Sequence, residues 1–250
     1  MSVDILGCRL DPLDADAAVE AIVQLADAHA GAVVVTLGTE MVVYAQRDTR
    51  FRAVINSAAL CLCDTVGVLA LARKRGATLR QRVTGVELVE RLCARVAQTG
   101  QSVYFLGGAP GVAAQAAARL QARLPQLRIA GTRDGYFEPE RSGQIAEEIA
   151  RSGAALLFVG MGSPRQEFWL AEWLGTSAAG VGLGVGGSFD VLSGRVARAP
   201  AAWRRLGLEW LYRLVSEPSR WRRQLALPYF LWLVLREGRS TRRTGSKSVI

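Results

Sequence analysis

One histidine and four cysteines in 250 residues leave little material for a metal centre built on imidazole or thiolate. His29 stands alone, and Cys8, Cys61, Cys63 and Cys93 match no zinc spacing. Cys61 and Cys63 alternate with Leu60 and Leu62, which suits buried strand thiols in a reducing compartment. Residues 1–30 lack a basic stretch followed by an apolar run. They carry Asp4, Asp11, Asp14 and Asp16 instead, so no secretory signal is expected. The apolar run LALPYFLWLVL (225–235) falls well short of the roughly 20 residues a bilayer crossing needs. With only 8 prolines and 50% apolar residues, the chain is neither fibrous nor disordered and can fill the core of one large domain.

What the chain does have is an uneven charge. Residues 1–194 hold 18 Lys/Arg against 19 Asp/Glu, whereas residues 195–250 hold 13 against 3. The net +9 therefore belongs to the C-terminal fifth and marks a place where something anionic docks.

Between Gly31 and Gly187 short apolar runs alternate with helical patterns. Strands are predicted at 32–36, 59–63, 103–107, 155–160 and 180–185. Helical stretches are predicted at 40–56, from Asp64 to Gly76, and at 85–99, 111–124 and 165–174. Continuous apolar strands separated by helices imply a Rossmann-like α/β fold with a parallel sheet covered on both faces. Three segments are expected: an α/β domain over 1–194, a basic amphipathic helical appendage over 195–237, and a disordered tail over 238–250.

Parallel sheets bind ligands beyond the carboxyl ends of their strands, so the polar residues found there carry the functional signal. Asp64 ends an otherwise apolar strand. It is placed either to take a proton from a substrate hydroxyl or to cap the helix starting near Val66. Arg82 precedes Thr84, a helix cap, and serves as an ion-pair partner or a phosphate ligand. Gly107 and Gly108 form a strand-to-helix turn that either cradles a phosphate or is merely tight. In GMGSPRQE (160–167), Gly162 belongs to an exposed loop, and Arg165, Gln166 and Glu167 project from a helix N-terminus. Gln166 can donate to and accept from sugar hydroxyls or a uracil edge. Asp190, after Gly186 and Gly187, accepts from a ribose or caps the next element.

Seven segments together resemble the WecG/TagA/CpsF glycosyltransferase family. They are TLGTEMVVYAQRD (36–48), CDTVGVLALARKRG (63–76), RVTGVELVERL (82–92), YFLGG (104–108), GMGSPRQEFW (160–169), GVGGSFDVLSGRVARAP (184–200) and LEWLYRLVSEPSRWRR (208–223). The resemblance implies an inverting transferase that moves an N-acetylmannosamine-like sugar from UDP to a polyprenyl-diphosphate-linked sugar in cell-surface polysaccharide synthesis. It implies that Asp64 is the general base, that Thr36 and Arg82 belong to the active site, and that Gln166 contacts the sugar. Arg213, Arg220 and Arg223 are similar to appendage arginines that close over the diphosphate. Two positions depart from the family pattern. Gly38-Thr39 stands where Asn-Pro is common, and Asp64-Thr65 stands where Asp-Gly is common.

No Asp-x-Asp pair stands directly after a predicted strand, so neither a cofactor nor an obligatory metal is expected. The partners implied are a UDP-sugar donor, a lipid-diphosphate-linked acceptor and the anionic inner face of the plasma membrane, reached from the cytoplasm through the C-terminal segment. Assembly into a homo-oligomer is compatible with the sequence. A nicotinamide oxidoreductase would need a dinucleotide fingerprint with an acidic residue about 20 positions on, which FLGGAPG does not supply. The tryptophans and leucines of 203–235 suit lipid better than nucleic acid.

Overall fold

The computed structural model describes residues 2–200, 202–203, 207–216, 221 and 225–245. The side chains of Arg213, Ser216 and 238–245 lie outside that description. The chain begins with a small antiparallel hairpin, β1 (Val3–Ile5) and β2 (Cys8–Leu10), followed by α1 (Ala15–Asp27). Asp14 caps α1 by accepting from the Ala17 amide. The α/β body comprises β3 (Ala32–Leu37), α2 (Thr39–Ala45), α3 (Thr49–Ser57), β4 (Leu60–Cys63), α4 (Val66–Lys74), α5 (Gly85–Thr99), β5 (Ser102–Gly107) and α6 (Val112–Arg123). It continues through β6 (Arg128–Arg133), α7 (Ser142–Ser152), β7 (Leu156–Gly160), α8 (Arg165–Ser177), β8 (Val181–Gly184) and α9 (Ser188–Leu192). Helices α10 (Glu209–Ser216) and α11 (Ala226–Gly245) follow toward the C-terminus.

The six main strands form one parallel sheet in the order β4-β3-β8-β7-β5-β6. Side-chain alternation divides the core into layers. Val34, Leu62, Phe105, Phe158 and Leu183 point to the face covered by α1, α5, α6 and α9. Val35, Cys61 and Cys63 point the other way, under α2, α3 and α4, while Leu106, Leu157 and Val159 lie under α7 and α8. The predicted Rossmann-like architecture is therefore present. All four cysteines are free and buried, and burial pushes the Cys63 and Cys93 thiols up to about 12.

Helices α7 and α9 have no counterpart among the predicted elements, and two further differences have a clear physical reason. The helix predicted over 40–56 is broken into α2 and α3, because Asp48 turns its carboxylate onto the Phe51 amide and starts a new helix. Strand β6 (RIAGTR) is polar and sits at the sheet edge, so it lacks the apolar run that marks its neighbours.

The run at 225–235 lies within α11, and the helix continues to Gly245, beyond the Gly238 at which composition predicts a tail. Pro228 is tolerated in its first turn, where amides have no intrahelical acceptor. Phe230, 1% exposed, inserts among the α2 and α4 side chains, with Leu233 and Val234 alongside. Arg75 on the C-terminal side of α4 bonds Glu237, and the Arg47 guanidinium lies 5.2 Å from the Tyr229 ring centroid. The helix is thus docked through its apolar face. Phe230→Ala should cost about 3–5 kcal/mol, read as a lowered urea midpoint, because the cavity it leaves is walled by packed helices.

Candidate active site

The carboxyl ends of β3, β4, β7 and β8 open into a cavity of about 460 Å3. Of the residues predicted from sequence, Thr36, Asp64, Arg82, Gly162 and Gln166 line it together. Glu167 lies behind Gln166, 1% exposed. The others are placed elsewhere or lie outside the described residues.

Asp64 follows β4 directly, and its backbone amide extends the ladder to the Leu37 carbonyl. Its Oδ1 accepts from the Gly85 amide at 3.2 Å, at the N-terminus of α5, where the helix dipole favours a carboxylate. The N-cap residue of α4 is Thr65 and not Asp64. Gly85 permits this arrangement, since a Cβ there would stand 2.8 Å from Ser188 Oγ and 3.1 Å from the Val185 carbonyl oxygen. Thr84 does cap α5, accepting from the Glu87 amide at 3.3 Å.

Arg82 Nη1 reaches the Asp64 carbonyl at 3.4 Å, and Nη2 pairs with Glu209 Oε2 at 2.7 Å. Glu209 opens α10, so this pair joins the sheet edge to the C-terminal helices. The pair is largely withdrawn from solvent, with side chains 18% and 14% exposed. Glu40, Glu209 and Trp210 also line the cavity. The sequence marks no role for Glu40 and Glu209, although both fall inside segments that carry the family resemblance, and it sets Trp210 among the lipid-suited tryptophans of 203–235. Among the charged residues of the described lining, Arg82 stands with Glu40, Asp64 and Glu209.

Thr36 Oγ1 donates to the Gly184 carbonyl at 3.0 Å and ties β3 to β8 beneath the cavity. Gln166 serves two loops at once. Its Oε1 accepts from the Gly162 amide at 3.2 Å and the Gly186 amide at 2.9 Å, and its Nε2 donates to Glu167 Oε1 at 2.6 Å. The side chain expected to meet a sugar therefore also fixes the two glycine loops that face the cavity.

Burial raises the pKa of Glu167, against the opposing effect of its bond from Gln166. A carboxyl whose folded pKa is raised binds its proton more tightly folded than unfolded. Its contribution to stability is then present below the unfolded carboxylate range and lost as pH climbs through the folded value. Glu167→Gln, neutral throughout, should make the fall of Tm with rising pH shallower over that window, as read by thermal melts across pH.

Gly107 ends β5 and Gly108 follows it, beyond β7, and neither lines the cavity. Their backbone is shaped by close packing, since a Cβ on Gly107 would lie 2.4 Å from the Gly160 carbonyl oxygen. Arg165 stands at the N-terminus of α8, as expected, but does not line the cavity. Arg165 Nη2 bonds the Phe137 carbonyl at 3.1 Å and the guanidinium lies over the Phe137 ring. Asp190 also stands outside the cavity lining; in α9, its carbonyl accepts from the Val196 amide at 3.0 Å. Arg213 lies on α10 with its side chain undescribed, and Arg220 and Arg223 fall outside the described residues. No group of three His, Cys, Asp or Glu side chains among the described residues could hold a metal ion.

A parallel sheet whose strand ends present a carboxylate, a guanidinium and two glycine loops to one cavity is built to bind a ligand at that edge. The model of the Glycosyl transferase WecG/TagA/CpsF family matches residues 3–244. The chain belongs to this family and is a glycosyltransferase. It is similar to the N-acetylglucosaminyldiphosphoundecaprenol N-acetyl-beta-D-mannosaminyltransferase of Bacillus spizizenii strain W23, at 37% identity over 215 residues, which cover 86% of this chain and 83% of that relative.

Proposed function

We propose that the protein transfers an N-acetylhexosamine, N-acetylmannosamine or a close analogue, from UDP to a sugar on a polyprenyl diphosphate, inverting the anomeric carbon. The observation that carries this reading is the placing of Asp64 and Arg82 in the wall of one cavity beside glycine loops. The relative from Bacillus spizizenii, whose name states an N-acetylmannosaminyl transfer onto N-acetylglucosaminyldiphosphoundecaprenol, supports the substrate class.

In this reading Asp64 accepts the proton of the acceptor hydroxyl as that oxygen attacks C1 opposite the UDP leaving group. Arg82, beside the Gly162 and Gly186–Gly187 loops whose shape Gln166 fixes, receives the diphosphate. Charge builds on the departing β-phosphate, where preorganised donors contribute most. The described lining carries three carboxylates beside Arg82. Further cations from the arginine-rich segment, Arg213, Arg220 and Arg223, would complete the balance.

The basic 195–237 segment docks the enzyme on the anionic inner face of the plasma membrane. On α11, Leu231, Trp232 and Leu235 are exposed on the side opposite the buried Phe230. Such a surface can enter the lipid interface while arginines meet headgroups, each worth about 1 kcal/mol. No helix among the described residues is long and apolar enough to cross a membrane.

The test is incubation with a panel of UDP-sugars and a short-chain lipid-diphosphate GlcNAc acceptor, with product resolved by mass. Transfer of an N-acetylhexosamine is expected. Absence of transfer from every UDP-sugar would contradict the assignment.

A further inference from the structure

Asp64 is flanked in the cavity wall by two hydroxyls that the chemistry above does not use. Thr39 opens α2 and Thr65 precedes α4, and both line the cavity. Their Oγ1 atoms lie 2.9 Å apart, and the Thr39 amide donates to Thr65 Oγ1 at 3.1 Å. Gly38 holds the N-cap position of α2 and has no side chain with which to cap it. Thr65 supplies the missing acceptor from the turn after the neighbouring strand, and its hydroxyl makes no capping bond to its own helix, α4. It also fills the adjoining space, because a Cβ at position 38 would meet Thr65 Cγ2 at 3.4 Å. Side-chain matter at this corner thus comes from the turn after β4 and not from the turn after β3.

Capping α2 needs one acceptor, and this corner holds two hydroxyls. Between them they carry two hydrogens and four lone pairs, of which the two observed bonds use one hydrogen and two lone pairs. One donor and two acceptor positions remain at the wall of a cavity, beside the group that meets the attacking oxygen. We propose that the Thr39–Thr65 pair is a specificity-determining wall that reads a sugar hydroxyl next to the reacting atoms. This deepens the glycosyl-transfer reading and rests on it. The hydroxyl belongs to the donor ring or to the acceptor ring, which present the same chemistry to the pair.

The full-length protein is assayed as wild type, Thr39→Val, Thr65→Val and Thr65→Ser. One arm varies the UDP-sugar by a single hydroxyl against a fixed short-chain lipid-diphosphate GlcNAc. The other varies one ring hydroxyl of that acceptor against a fixed donor. Each valine variant should lower kcat/KM for the preferred sugar relative to its epimer by about 10-fold or more in one arm, as expected of a site that bonds a hydroxyl. Thr65→Ser, which keeps the oxygen, should hold the wild-type ratio. Thr39→Val retains the backbone bond that caps α2, so it reports on recognition without loss of that cap. A pair with a structural role alone would slow all sugars equally, and unchanged ratios in both arms overturn the proposal while leaving the transferase assignment standing. Absence of wild-type transfer in every combination overturns both.

Discussion

Asp64→Asn should lower kcat by a factor on the order of 100 or more while leaving KM and the melting temperature near their wild-type values. The argument is geometric. Asparagine keeps an oxygen for the Gly85 amide, 3.2 Å from Oδ1, so the junction between β4 and α5 survives. What it loses is the capacity to hold a proton. Because this effect appears in turnover and not in binding, steady-state kinetics with the preferred donor separates it from a folding defect. A variant with near-normal kcat would remove Asp64 from its role.

The second large effect is expected at Arg82. Arg82→Ala removes a diphosphate ligand and simultaneously leaves Glu209 without its 2.7 Å guanidinium partner at a largely desolvated position. Loss of one preorganised donor at a developing oxyanion costs about 3 kcal/mol, or about 100-fold in kcat. Without that neutralising guanidinium, the Glu209 carboxylate adds repulsion toward any phosphate entering the cavity, so KM for the UDP-sugar should rise as well. Pairing the change with Glu209→Gln tests this split. The double variant should recover much of the KM defect and little of the kcat defect, and equal recovery of both would show that Arg82 acts only through the ion pair.

How much of this was legible in the sequence depends on the range of the interaction. The sheet was readable because each central strand is a short apolar run between turns, and Asp64 was readable because it is the carboxylate that ends one of them. Local signals such as the Thr84 cap also held. Strand β6 escaped because an edge position allows polar side chains. Gly107 and Gly108 drew attention as a phosphate turn, yet the glycines answer to a carbonyl of the neighbouring strand. The Arg82–Glu209 pair spans 127 positions and the Thr39–Thr65 bond spans 26, and no local pattern encodes such distances. The role of Gln166 between two glycine loops was hidden for the same reason: its partners Gly162 and Gly186 meet only after the sheet has assembled.

The proposed reaction is a single displacement in which one carboxylate activates the acceptor on the face opposite UDP. Its most direct test is the anomeric configuration of the first product formed from the preferred α-linked UDP-sugar, read by proton NMR coupling at C1 before any further reaction. A β-linked product is expected. An α-linked product would require a second displacement or a front-face route, and would contradict the single displacement.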